Sequence, residues 1–226
     1  DISKPFNDPC IEFLNDFSNS LKNFKEINTY PDLIYLMFWC RSNKIRDLSQ
    51  DFEDNNLRLG RGLIFHICPS NVPTNFVYSF FFGLLSGNSN IVKVPSKKFK
   101  EKEIILKILN SLFQKKKFLH LKKSNAFIQY DSSSETTKTL SSICDGRVIW
   151  GGDKTINEIR KFWIPERAVE ITFSDRYSIS IINLDKLKKI NLSDLKQLAK
   201  KFYLEVIEDA AEALGKTVVM IMGPTS

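Results

Sequence analysis

The sequence predicts an α/β protein in which a doubly wound parallel sheet follows an N-terminal helical cap. Short apolar blocks recur about every 20 residues, and amphipathic helical patterns separate them. Helical periodicity dominates residues 1–60, before the first of these blocks. Strands that alternate with helices in this way favour a parallel sheet with helices on both faces. We therefore divide the chain into a helical segment, 1–60, an α/β domain, 61–203, and a tail, 204–226.

The composition is that of an ordinary globular protein. Of the 226 residues, 42% are hydrophobic and 26% are charged, which suffices for a real core. The net charge of +7 permits attraction to phosphorylated cofactors or coenzyme A thioesters. We find no nucleic-acid-binding motif, and no apolar run reaches the roughly 18 residues of a membrane span. Four widely spaced cysteines without a CxxC pair predict neither a metal site nor disulfides, so we expect a reducing cytoplasm.

The first 60 residues contain two predicted helices. Apolar residues recur at helical spacing in the first of them, at Ile11, Leu14, Phe17, Leu21 and Phe24. Pro31 begins the second, Asp32–Arg41, which has one apolar face. We expect both helices to pack against the sheet as a cap.

The stretch from residue 62 to 96, GLIFHICPSNVPTNFVYSFFFGLLSGNSNIVKVPS, predicts one βαβ unit. Leu63–Cys68 is a buried strand, Phe76–Ser86 a helix that is apolar almost all round, and Ile91–Val94 the next strand. The polar turn after the first strand lies where open α/β sheets bind ligands. Lys93 interrupts an apolar strand, so it either meets a nucleotide ribose or phosphate or extends to water at the strand end.

The remaining elements continue the alternation. The predicted helices are Glu101–Leu112, Ser132–Ser142 and Lys154–Phe162, with a last helix from Ser193, and the predicted strands are Ala126–Tyr130, Arg147–Trp150, Ala168–Phe173 and Ser178–Asn183. The lysines at 115–117 and 122–123 indicate either a phosphate patch or a solvated helix end. In the turn Gly151-Gly152-Asp153 the glycines would let the backbone approach a pyrophosphate. The acid Asp153 would repel phosphate or cap the next helix.

Three motifs, HICPSNVP, GLLSGN and NIVKVPS, occur here in an order and spacing that resemble a known family. It is the acyl-CoA reductase family typified by the reductase subunit of the bacterial bioluminescence fatty-acid reductase, a branch of the aldehyde dehydrogenase superfamily. The resemblance continues through RVIWGGD and EITFSDRYS and covers residues 30–203. It implies a cofactor-binding fold of the aldehyde dehydrogenase type. It also implies that a cysteine thiolate attacks a fatty acyl-CoA or acyl-carrier thioester and that NADPH reduces the acyl-enzyme to an aldehyde.

The resemblance assigns the cofactor contacts to three places. Lys93 matches the lysine that reaches the adenosine ribose. Ser96 and Lys97 stand near where NAD-preferring relatives place an acid, and a cation there favours NADPH. The turn Gly151-Gly152-Asp153 matches the superfamily's cofactor-contacting turn. An acyl-protein synthetase and a transferase are implied as partners, and a homo-oligomer is compatible with the family.

The resemblance also assigns catalytic roles. Asn71 occupies the position of the oxyanion-stabilising asparagine. Glu170 falls where the superfamily has its general-base glutamate, although Thr172 and Phe173 replace the usual glycines. The alternative for Glu170 is a carboxylate paired with a nearby arginine, Arg147, Arg167 or Arg176.

The tail departs from the family. Family members follow a segment like LAKKFY with the nucleophilic cysteine, whereas this chain continues LEVIEDAAEALGKTVVMIMGPTS. Cys68 is the one conceivable substitute, and a buried strand-end thiol is its alternative interpretation. We therefore interpret the chain as a reductase that is truncated before its nucleophile and inactive alone. The alternative function is a non-catalytic nucleotide- or acyl-binding module that acts with a partner.

The tail has a resemblance of its own. The sequence VIEDAAEALG resembles a motif of sugar aminotransferases that use pyridoxal phosphate, in which Asp209 would pair with the pyridinium nitrogen. The alternative is a helix, Leu198–Leu214, followed by a strand, Thr217–Met222. For the folded chain we expect the helix and strand.

Overall fold

The computed structural model confirms the α/β class. It describes residues 2–50, 52, 56–130, 134–174, 176–182, 190–191, 193–194 and 219–225. The chain divides into two compact units, Asp1–Ser174 and Asp175–Thr225. The larger unit holds a five-stranded sheet and the N-terminal helices, and the smaller holds a two-stranded sheet. The domain boundaries after residues 60 and 203 stay a prediction.

Helices and strands alternate through most of the described chain. The α-helices are α1 (Asp8–Lys22), α2 (Pro31–Trp39), α3 (Ser42–Gln50), α4 (Asn75–Leu85), α5 (Lys100–Phe113), α6 (Leu119–Ser124), α7 (Ser134–Ile143) and α8 (Asp153–Arg160). The strands are β1 (Leu63–Ile67), β2 (Ser89–Lys93), β3 (Asn125–Ile128), β4 (Gly146–Trp150), β5 (Val169–Phe173), β6 (Arg176–Ile182) and β7 (Val219–Thr225). Short 3-10 helices lie at Ile27–Thr29 and Lys116–Phe118. Among the described helices, none has the length and apolarity to cross a membrane.

The large sheet is parallel throughout and has the strand order β3-β2-β1-β4-β5. The chain builds outward from the central strand β1 through β2 to β3, and then crosses to the other side of β1 for β4 and β5. The order therefore reverses between β1 and β4. In doubly wound sheets the crevice at this point, outside the carboxyl ends of the strands, is where ligands bind.

The predicted strand Ser178–Asn183 is present as β6, but it does not extend the parallel sheet. It pairs antiparallel with β7, which overlaps the predicted strand Thr217–Met222. The predicted helix Leu198–Leu214 and Asp209 lie outside the described residues.

A phenylalanine-rich core fills the space between one face of the sheet and the helices α1, α2, α4 and α5. Helix α4 is buried as its apolar sequence predicts, apart from Phe82, which is 52% exposed. The fully buried rings of this core include Phe13, Phe17, Phe76, Phe80, Phe81 and Phe118. The N-terminal helices thus form a cap whose apolar side is continuous with the sheet's core.

Two of the basic residues after α5 form ion pairs with the N-terminal cap. Lys115 Nζ lies 2.9 Å from a carboxylate oxygen of Asp16, and Lys117 Nζ lies 2.6 Å from one of Glu12. Asp16 and Glu12 both belong to α1. Because the two lysines are nearly half exposed, these pairs contribute little free energy each.

Candidate functional site

Most of the predicted site residues lie at the carboxyl edge of the parallel sheet. Lys93 is the last residue of β2, and it stands in register with Ile67, the last residue of β1. Ile67 is in register with Ile149 on its other side, one residue before the end of β4. The loop that contains Asn71 and the turn Gly151-Gly152 therefore start from neighbouring strand ends, on the two sides of the reversal in strand order.

Lys93 has an aromatic partner that the sequence did not indicate. Its ammonium lies 4.3 Å from the centre of the Tyr130 ring, which follows β3. The Tyr130 hydroxyl is hydrogen bonded to Thr137 Oγ1 at 2.8 Å, so the ring is held in place from α7. A cation over an aromatic face is stabilised electrostatically, and here the contact orients a half-buried lysine at the sheet edge.

The turn after β4 precedes a helix N-terminus. Gly152 is the N-cap of α8 in an extended conformation, so the cap is this glycine and not Asp153, which is the first helical residue. The nearest atoms that a Cβ added at Gly151 would meet belong to the Thr155 side chain, at 3.4 Å, which is ordinary van der Waals contact. Free helix N–H groups suit a pyrophosphate, although Asp153 adds an exposed negative charge.

The loop after β1 provides two polar groups. Asn71 is exposed, and no described residue forms a hydrogen bond with its side chain, so the amide is available as a donor. Asn75, the first residue of α4, has a buried side-chain oxygen with no hydrogen-bond partner among the described residues. Because buried oxygens are rarely left unpaired, Asn75 is suited to accept a hydrogen bond from a ligand in this crevice.

Glu170 does not join this group. It is in register with Arg147, whereas the carboxyl ends of the same two strands pair at Trp150 and Phe173, three residues further on. That separation is about 10 Å along the sheet. The structure therefore brings Asn71 and the glycine turn to one edge and places Glu170 toward the other.

Both carboxylate oxygens of Glu170 are occupied. Buried Arg147 donates from Nε to Oε2 at 2.9 Å, and Arg160 donates from Nε to Oε1 at 2.7 Å. Burial raises the pKa of Glu170, but the hydrogen bonds from Arg160 and Arg147 outweigh it, so the pKa is lowered. Arg147 was one of the partners that the sequence suggested, and Arg160 was not. The general-base role of Glu170 stays a prediction.

Comparison with known proteins identifies the family. A family model described as acyl-CoA reductase (LuxC) matches residues 42–203, which is well over half of the chain. The chain belongs to the acyl-CoA reductase family. No curated protein sequence matches it.

Solved structures similar to this chain include a putative aldehyde dehydrogenase and proline utilization A proteins. A putative aldehyde dehydrogenase PutA from Anabaena variabilis is 17% identical over 71% of this chain and 35% of its own, with a TM-score of 0.47. A mutant of Bradyrhizobium japonicum proline utilization A is 14% identical over 74% of this chain and 20% of its own, with a TM-score of 0.54. The second likeness supports the α/β fold of the chain. The chain thus spans about a third or less of these proteins.

The four cysteines of this chain are all free and buried. Cys68, the one nearest the crevice, follows β1 and is 8% exposed. Burial raises the pKa of its thiol to about 12, although a hydrogen bond with Ser79 lowers it in part. Burial also raises the pKa values of the other three, Cys10, Cys40 and Cys144. None of them is therefore poised as a thiolate nucleophile at neutral pH.

A chain of buried polar side chains crosses the sheet beneath the site, and the sequence analysis did not find it. Trp150 Nε1 donates to Ser79 Oγ at 3.1 Å, and Ser79 is hydrogen bonded to Nδ1 of His66 at 2.8 Å. On the other side of the ring, Nε2 of His66 lies 2.9 Å from Oδ1 of Asn90, whose amide nitrogen donates to Asn125 Oδ1 at 2.7 Å. The network links β4, α4, β1, β2 and β3.

This network reaches the candidate site through Trp150. The indole stacks on Phe173 with the ring centres 3.7 Å apart, and Gly151 follows it directly. The Gly151 N–H also donates to the Phe173 carbonyl oxygen at 3.2 Å. The start of the glycine turn, where it leaves β4, is therefore anchored to β5. In the part of the chain that the structure describes, no group of histidine, cysteine, aspartate and glutamate side chains is arranged to hold a metal ion.

Proposed function

We propose that this chain forms the nicotinamide-cofactor site of an NADPH-dependent reductase that converts long-chain acyl thioesters to aldehydes. Family membership and the aldehyde dehydrogenase type of fold support an oxidoreductase acting in acyl reduction. One observation carries the proposal for these residues. Asn71, Lys93 and the Gly151-Gly152 turn start from neighbouring strand ends at the reversal of a parallel sheet.

The residues present fit a phosphorylated dinucleotide. The N–H groups at the start of α8 suit the pyrophosphate, and Gly151 and Gly152 before them carry no side chain. Lys93 suits the adenosine ribose, and exposed Ser96 and Lys97 suit a 2′-phosphate, which favours NADPH. The buried oxygen of Asn75 suits a hydroxyl or amide donor of the cofactor. When bound, the cofactor supplies the hydride.

Two residues would act on the acyl group. The exposed Asn71 amide is a hydrogen-bond donor for the oxyanion that forms at the thioester carbon. Glu170 would serve as a base only after its two arginine partners release it, so we expect its contribution to be the smaller one. Fatty acyl-CoA or an acyl-carrier thioester is the proposed substrate. An acyl-protein synthetase and a transferase are the proposed partners, and the free cysteines suit a reducing cytoplasm.

A direct assay tests the catalytic part of the proposal. These 226 residues contain four cysteines, all buried and with raised pKa values, so we expect none of them to act as the nucleophile. We expect no oxidation of NADPH when this chain is mixed with a long-chain acyl-CoA. Appreciable turnover would overturn the missing-nucleophile argument.

The same burial of the thiols favours a second candidate, a non-catalytic module that binds a nucleotide and acts with a partner. Titration of NADPH against the unmodified chain and Lys93→Ala tests the site that both candidates share. We expect binding that is lost in Lys93→Ala and retained in Lys107→Ala, a matched change at an exposed lysine of α5. Absence of NADPH binding by the unmodified chain would contradict both candidates.

A further inference from the structure

Lys102 is a buried lysine at the start of a helix. Its exposed fraction is 7%, and it lies in the first turn of α5, where the helix dipole is positive. No described carboxylate forms an ion pair with it, and its neighbour Glu103 pairs with Lys100. Burying an ammonium is costly unless hydrogen bonds compensate for the lost water.

The Lys102 ammonium holds the loop between β2 and α5. Its Nζ donates to the carbonyl oxygens of Pro95 and Lys97, both at 2.8 Å. These two carbonyls flank Ser96, so one buried group fixes the backbone on both sides of that residue. The side chains of Ser96 and Lys97 remain exposed above the clamped backbone.

The clamped loop is the one proposed to bind the adenosine end of the cofactor. It begins directly after Lys93 at the carboxyl edge of the sheet and carries the cations Lys97 and Lys98. A loop that is fixed before binding loses less conformational entropy when a ligand orders it. A buried charge also contributes more to the local potential than a solvated one, because it is screened less.

We infer that Lys102 is a positioning residue for the 2′-phosphate of the nucleotide. It fixes the loop so that Ser96 and Lys97 meet a phosphate monoester on the adenosine ribose, and its charge adds to the attraction for that dianion. The inference rests on the proposed function, and it adds a determinant of NADPH over NADH selectivity that lies below the binding surface.

The test compares NADPH and NADH titrations of the full chain with those of Lys102→Met, which keeps the length of the side chain and removes the ammonium. We expect affinity for NADPH to fall at least about tenfold and affinity for NADH to fall much less, so that the ratio of the two changes. Lys102→Arg keeps the charge and can donate to both carbonyls, so it should retain most of the selectivity. Lys107→Met, on the exposed face of the same helix, is the control and should leave both affinities unchanged.

The possible results separate the two proposals. If Lys102→Met is folded by circular dichroism and keeps the wild-type ratio of NADPH to NADH affinity, or loses both equally, Lys102 has no positioning role and the proposed cofactor site survives. If the unmodified chain binds neither nucleotide, the proposed function fails and the inference fails with it. If Lys102→Met does not fold, Lys102→Gln takes its place, because its neutral amide can still donate to a carbonyl. An unchanged ratio in Lys102→Gln would equally overturn the inference.

Discussion

Acidification from pH 7 to 5 should destabilise the fold because His66 is buried as a neutral ring. The ring is 2% exposed and is hydrogen bonded on both sides, to Ser79 and Asn90. The amide nitrogen of Asn90 donates to Asn88 and Asn125, so its oxygen faces the ring. Nε2 of His66 therefore carries the proton, and Nδ1 accepts a hydrogen bond from the Ser79 hydroxyl.

Protonation of His66 would disrupt this arrangement. A second N–H, at Nδ1, would face the Ser79 hydroxyl proton. Burial lowers the pKa of His66 from 6.5 to about 4, although the hydrogen bond to Asn90 raises it. The unfolded chain therefore takes up a proton near pH 6.5, whereas the folded chain does so near pH 4. The contribution of His66 to the free energy of unfolding is therefore largest above pH 6.5. Below that pH it falls by about 1.4 kcal/mol per pH unit, or about 2 kcal/mol by pH 5.

Urea unfolding of the wild-type chain and His66→Leu at pH 7, 6 and 5 measures this effect. His66→Leu leaves Ser79 and Asn90 without their hydrogen bonds to the ring, so we expect it to be less stable than the wild type. It has no titrating group at residue 66. The wild-type advantage should therefore shrink by about 2 kcal/mol between pH 6.5 and 5. Asp16 and Glu170 have lowered pKa values and ordinary values of 3.8 and 4.5, so they titrate below this window. An advantage that stays constant from pH 7 to 5 would refute the argument.

Three other predictions concern packing and charge. Gly83→Ala should destabilise by about 1–3 kcal/mol in thermal unfolding despite alanine's helix propensity, because the new Cβ would lie 2.0 Å from Asn90 Oδ1. Gly151→Ala should leave stability within about 0.5 kcal/mol of wild type but weaken NADPH binding in a titration, because its methyl group fills the space proposed for the pyrophosphate. Arg147→Met should cost about 3–5 kcal/mol in urea unfolding because it removes the buried partner of Glu170 Oε2, Ser141 Oγ and the Phe162 carbonyl, whereas Arg160→Met, at a half-exposed arginine, should cost about 1 kcal/mol or less.

The parallel sheet was predictable because its signals are local. Each of β1 to β5 is a short apolar block bounded by turn residues, and the apolar sequence of α4 has no stable place except a core. The carboxyl edge followed from the same pattern, since parallel strands end together. Helix α3 was not singled out because its sequence is mostly polar, with Ile45 its buried residue.

The rest depends on register, which a single sequence does not reveal. His66 meets Ser79 across 13 residues and Asn90 across 24, and neither pairing is marked by a motif. The partners of Glu170 show the same limit: Arg147 is among the candidates that the sequence offers, but Arg160 reaches the carboxylate from the end of α8, which no motif marks. The burial of Lys102 could not be predicted either, because its partners are backbone carbonyls and their position depends on the path of the preceding loop.

The strand order also has a consequence for how the chain folds. At the amino end of β1, the Gly62 N–H donates to the Asn88 side chain across 26 residues, and the Leu63 N–H donates to the Asp145 side chain across 82. Loop-closure entropy grows with the logarithm of length, so the second contact costs about 1 kcal/mol more to close than the first. Folding rates fall as such distant contacts increase. The β1–β2 half of the sheet can thus nucleate locally, while the crevice between β1 and β4 is completed by the slower, long-range docking of the second half.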